Sequence, residues 1–77
     1  MKYLEISKDW ANNLYTVGAK INIAVYRGIY GNDFIKEYTV RRPSGTSWTI
    51  AWQVKEILKE LPDNIHYTFK YYERIEE

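Results

Sequence analysis

The sequence predicts an α+β domain in which a three- to four-stranded antiparallel sheet carries one helix packed on one face, in the order β-β-β-α-β. Three observations lead there. Residues 20–26 alternate, with Ile21, Ile23 and Val25 facing one way and Lys20, Asn22, Ala24 and Tyr26 the other, which is the period of a strand with one buried face. Residues 34–42 alternate again after the turn formers Gly28, Gly31, Asn32 and Asp33, so the two runs make a hairpin. Residues 48–61 instead space their apolar side chains at helical intervals until Pro62 halts the run.

Taken in order, residues 2–7 read as a strand with Leu4 and Ile6 on one side. Lys8, Asp9, Asn12 and Asn13 then break the pattern, and residues 9–16 read as an irregular segment. In the hairpin's second strand Phe34, Tyr38 and Val40 share a face. Pro43 lacks an amide donor and ends that strand, leaving Thr46 or Ser47 to cap the helix. After Pro62, Asp63 and Asn64 turn the chain into a last strand over residues 65–75. There Ile65, Tyr67, Phe69 and Tyr71 alternate against His66, Thr68, Lys70 and Tyr72, and Glu73, Glu76 and Glu77 leave a frayed acidic end.

Seventy-seven residues fit one domain with one core, and the absence of cysteine rules out disulfide staples. Extra burial in a homodimer would help a chain of this size. The apolar fraction of 45% argues against disorder. No apolar run approaches the roughly 20 residues needed to cross a bilayer. The cysteine-free, signal-less start predicts a cytoplasmic protein with no membrane partner. A net charge of +1 supplies no large field, so any binding to phosphates must be local.

The helix carries an anomaly. Ile50, Val54, Ile57, Leu58 and Leu61 fill a normal core-facing stripe, whereas Trp48 and Trp52 project more than about 100° away, beside Lys55 and Lys59. Large apolar patches are seldom left open on a solitary domain. Either residues 9–16, with Trp10, Leu14 and Tyr15, fold over the indoles as a second small core, or a protein partner covers them. The second reading predicts a non-enzymatic protein-binding module anchored on Trp48, Trp52, Lys55 and Lys59.

Other constellations carry less. Arg41, Arg42 and Ser44 precede the helix N-terminus, where a phosphate is favoured, but the full phosphate-loop spacing is missing. With Lys70, Tyr72 and Arg74 on the uncovered sheet face they make the alternative reading, a nucleic-acid binder that stacks bases and neutralises phosphates. Lys20, Asn22, Tyr26, Glu37, Thr39, Arg41 and His66 share that face, and Glu37 opposes phosphate there. A single histidine, His66, and no cysteine give no metal site, no cofactor is implied, and no serine or carboxylate is spaced to activate a nucleophile. Glu5, Glu37, Glu56, Glu60 and Glu73 lie at ordinary solvated spacings. No enzyme is expected.

Finally, Asn22-Ile23-Ala24-Val25-Tyr26, in an early strand after a Met1-Lys2-aromatic start, resembles the corresponding segment of small phage-encoded anti-CRISPR proteins of the type I-F inhibitor group. The match covers five positions, and the closing strand here stands where that family is helical. The resemblance implies an inhibitor that docks onto a nucleic-acid-processing complex, with Tyr26 the matched residue that a partner touches.

Overall fold

The fold is taken from a computed structural model that describes residues 2–75. The acidic end expected at Glu76 and Glu77 lies outside the described residues, as does Met1. The elements are β1 (Lys2–Ile6), α1 (Lys8–Thr16), β2 (Ile21–Arg27), β3 (Asp33–Val40), α2 (Ile50–Lys59) and β4 (Tyr67–Ile75). An α+β domain with a four-stranded antiparallel sheet is therefore present. It has two helices rather than one, and the order is β-α-β-β-α-β.

The added helix is the segment expected to be irregular. Ser7 caps α1, its Oγ accepting from the Trp10 amide at 3.2 Å, and Asp9 sits in the first turn, where a carboxylate complements the helix dipole. Ala11 and Tyr15, four apart, bury completely, and Gly18 at φ +87° ends the helix in the left-handed conformation. Asn12 and Asn13, which read locally as turn formers, are carried by this packing.

The sheet order is β1-β4-β2-β3, with each neighbouring pair antiparallel. Because β4 is antiparallel to both β1 and β2, those two strands run parallel with β4 between them. A parallel connection must cross the sheet face, so α1 is needed to join β1 to β2. By the same geometry α2 joins β3 to β4 across β2.

The register defines two faces. On one, Ile6, Tyr71, Ile23 and Tyr38 form a cross-strand row, flanked by the Ile21–Val40 and Val25–Phe69 pairs. Ile21, Ile23 and Val25 are fully buried there against Ala11, Tyr15, Ile50 and Ile57 of the helices. On the other, Glu5, Tyr72, Asn22 and Thr39 form one row and Lys70, Ala24 and Glu37 the next.

Several sequence expectations shift at the edges. Phe34 was expected beside Tyr38 and Val40, but a bulge after Val25 pairs Lys36 with Val25 and Phe34 with Tyr26. One extra residue in β3, Ile35, thus turns Phe34 to the uncovered face. β3 ends at Val40, and β4 starts at Tyr67, leaving His66 outside the sheet with its carbonyl accepting from the Gly28 amide at 2.8 Å. No helix among the described residues is long and apolar enough to cross a membrane.

Candidate protein-binding surface

The helix α2 starts later than its periodicity indicates, and the reason is tertiary. Its N-cap is Thr49, not Thr46 or Ser47, and the Thr49 side chain makes no capping bond. Asn12 of α1 supplies the cap instead, its Oδ1 accepting from the Ile50 amide at 3.0 Å. A second tie lies one turn on, where the buried Tyr15 hydroxyl donates to Gln53 Oε1 at 3.0 Å. Burial raises the Tyr15 pKa and the nearby Arg42 guanidinium opposes that shift, so the phenol stays a donor. Helix α1 therefore contacts the Ile50 and Gln53 side of α2.

The two tryptophans, both expected to project away from the core, have different surroundings. Trp48 precedes α2, half-buried against the core, and Trp52 stacks on it with ring centroids 6.3 Å apart and planes 26° apart. Trp52 still exposes 49% of its surface, so α1 does not enclose the pair. Trp10 on α1 is equally exposed and does not serve as a lid. Lys55 holds its ammonium 5.2 Å from the centre of the Trp52 ring.

Beside this stack runs a groove of about 450 Å³ lined by Lys8, Thr49, Ala51, Trp52, Val54, Lys55 and Leu58. Leu58, expected in the core stripe, is 38% exposed and forms part of its wall. The lining carries two lysines and no carboxylate. Lys59 is set apart from this groove, with its ammonium 3.0 Å from Glu56 Oε1 and its charge offset locally. Lys8 was absent from the sequence-predicted set, and only recognising Ser7-Lys8-Asp9 as a helix start would have suggested it.

Tyr26 belongs to another surface. It lies on the sheet face away from the helices, with Phe34 edge-on at 5.6 Å and the Lys70 ammonium 5.0 Å from its ring centre. Tyr72 lies across from Asn22, two rows from Tyr26 on the same face. Its pKa is raised to about 12 by burial, by a hydrogen bond with Tyr26 and that residue's proximity, and by the carboxylates of Glu5 and Glu37. Those two acids sit among the tyrosines where the alternative reading requires phosphate.

The basic loop is also arranged differently from expectation. Arg41, Arg42 and Ser44 line a hollow with Val17 and Gly18 at the C-terminal end of α1, so they do not flank the start of a helix. Arg42 donates through Nη1 to the Thr46 carbonyl, and the Thr46 hydroxyl donates to the Pro43 carbonyl at 2.8 Å. A guanidinium at a helix C-terminus complements the dipole, which is a structural role for Arg42. Arg74, at the end of β4 opposite Tyr3, is exposed. Lys70, Tyr72 and Arg74 thus lie on β4, while Arg41, Arg42 and Ser44 line a separate hollow. Among the described residues no group of three or more His, Cys, Asp or Glu side chains is placed to hold a metal ion.

No protein-family profile, no curated protein and no solved structure matches this chain.

Proposed function

We propose that the chain is a non-enzymatic protein-binding module that takes an apolar, acidic segment of a partner protein along α2. The half-open Trp52, braced from behind by Trp48 and topped by Lys55, is the observation that carries this reading. Stacking holds the indole in place before a partner arrives, so little side-chain freedom remains to be lost on binding. Val54 and Leu58 offer apolar area beside it, and Lys8 and Lys55 select for carboxylates. The same lysines disfavour a second copy of the chain, because a two-fold contact centred here would set them against their own equivalents.

In this reading the module blocks or adapts its partner by occupancy. The resemblance of residues 22–26 to type I-F anti-CRISPR inhibitors supports a phage-type blocker. The nucleic-acid alternative has less support, since Glu5 and Glu37 flank Tyr72 on the face it would use.

A selection of random peptides on the immobilised protein, with Trp52→Ala as the comparison, tests the proposal. Enriched sequences should combine aromatic or aliphatic residues with Asp or Glu, and should lose binding by about 30-fold or more on the variant. The variant should keep the native circular dichroism and lose less than about 1 kcal/mol of stability. Equal binding by Trp52→Ala, or its failure to fold, overturns the reading. Sedimentation at several concentrations reports the second copy separately.

A further inference from the structure

The uncovered sheet face is not flat. Ala24 at its centre is only 3% exposed although no helix lies over it. Its cover comes from long side chains on neighbouring strands. They leave a hollow of about 170 Å³ lined by Tyr3, Ala24, Tyr26, Phe34, Glu37 and Tyr72, which draws one or more residues from every strand.

We infer that this hollow is a binding site for a quaternary ammonium group. Tyr26 and Phe34 meet at 69°, so their rings make a corner rather than a stack, and Tyr72 adds a further aromatic wall. Aromatic faces arranged around a space attract a cation through their quadrupoles. The Tyr26 ring already attracts one cation of the chain, since the Lys70 ammonium lies 5.0 Å from its centre.

Hydrogen bonding within the walls selects the kind of cation. Glu37 Oε1 accepts from Asn22 Nδ2, and Glu37 is the one carboxylate of the lining. A primary ammonium brings three donors to satisfy in this largely aromatic hollow, whereas a quaternary ammonium brings none. The Glu37 carboxylate still contributes its charge. Ala24 matters as the floor, because any larger side chain would fill the space.

The inference is independent of the tryptophan groove, which lies on the other side of the sheet. Its test uses the ¹⁵N-labelled protein titrated with choline, with its neutral isostere 3,3-dimethylbutanol, and with a short peptide carrying trimethyl-lysine. Choline and the peptide should shift the amides of Ala24 and Phe34, and the isostere should bind roughly tenfold more weakly. A tighter peptide assigns the cation to a protein tail, and a tighter choline assigns it to a small molecule. Phe34 is 58% exposed, so Phe34→Ala should weaken binding several-fold without changing the melting temperature. Lys70→Met should strengthen it by removing the internal competitor. Equal binding of the isostere, or no shifts up to about 50 mM choline, overturns the inference, and Trp52→Ala should leave the titration unchanged.

Discussion

Asn12 illustrates how one side chain couples two elements. Its carbonyl oxygen accepts the Thr16 hydroxyl at 2.8 Å within α1, while its amide oxygen caps Ile50 of α2. An asparagine that lowers local helix propensity is thereby used at the junction, where the amide of α2 otherwise lacks a partner. Asn12→Ala should cost about 1 kcal/mol in urea unfolding, and Asn12→Asp should keep most of that stability at neutral pH. Equal stability of wild type and Asn12→Ala would assign the amide to solvent. Asn12 and Asn13 carry a real local preference for turns, and only partners distant in the chain outweigh it. Trp52 was the opposite case, since its offset from the apolar stripe was visible in the residue spacing and holds in three dimensions.

Among the elements, the β2–β3 hairpin depends on a close approach at its tip. Gly31 has φ +66°, and a Cβ there would come within 3.2 Å of the Thr68 side chain. Thr68 in turn donates to the Gly28 carbonyl at 3.0 Å, fastening the turn to β4. Gly31→Ala should therefore destabilise by about 1–2 kcal/mol, from left-handed backbone and crowding together. A thermal melt lowered by about 4–8 °C per kcal/mol would register it. An unchanged melt would mean that the tip is not held against β4. The hairpin's existence was legible from alternation and turn residues, but the bulge that turns Phe34 was not. A bulge is a relation between two strands, and period-two reading within one strand carries no trace of it.

At the level of the whole molecule, extents of 33 × 30 × 18 Å describe a two-layer slab, with helices on one side of the sheet and Tyr3, Tyr26 and Tyr72 on the other. Burial raises the pKa of Tyr15 and of Tyr71, and leads the several causes that raise that of Tyr72. Each phenol therefore loses its proton in the unfolded chain before it does so in the folded one. The folded state binds more protons above pH 10, so stability should be level below that value and fall as pH rises from 10 towards 12. Urea midpoints across this range check the slope, and Tyr72→Phe should flatten part of it. A slope unchanged in Tyr72→Phe would show that this hydroxyl titrates alike in both states.

The amino-acid order alone determined the buried side of β2 and two of the residues that α2 sends into the core, because these follow from periodicities local to each segment, whereas Ala11 and Tyr15 of α1 enter the core, and Leu58 and Phe34 leave it, through contacts between elements. Ile21, Ile23, Val25, Ile50 and Ile57 were identified that way, and all are buried. Tertiary structure decided that β4 lies between β1 and β2, that α1 must therefore cross the sheet, and that Asn12 begins α2. It also gathered Tyr3, Tyr26, Phe34 and Tyr72 around Ala24 and left Trp52 outside the intramolecular core. These are facts of strand neighbours, register and crossing, set by contacts between residues far apart in the chain, which no local period encodes.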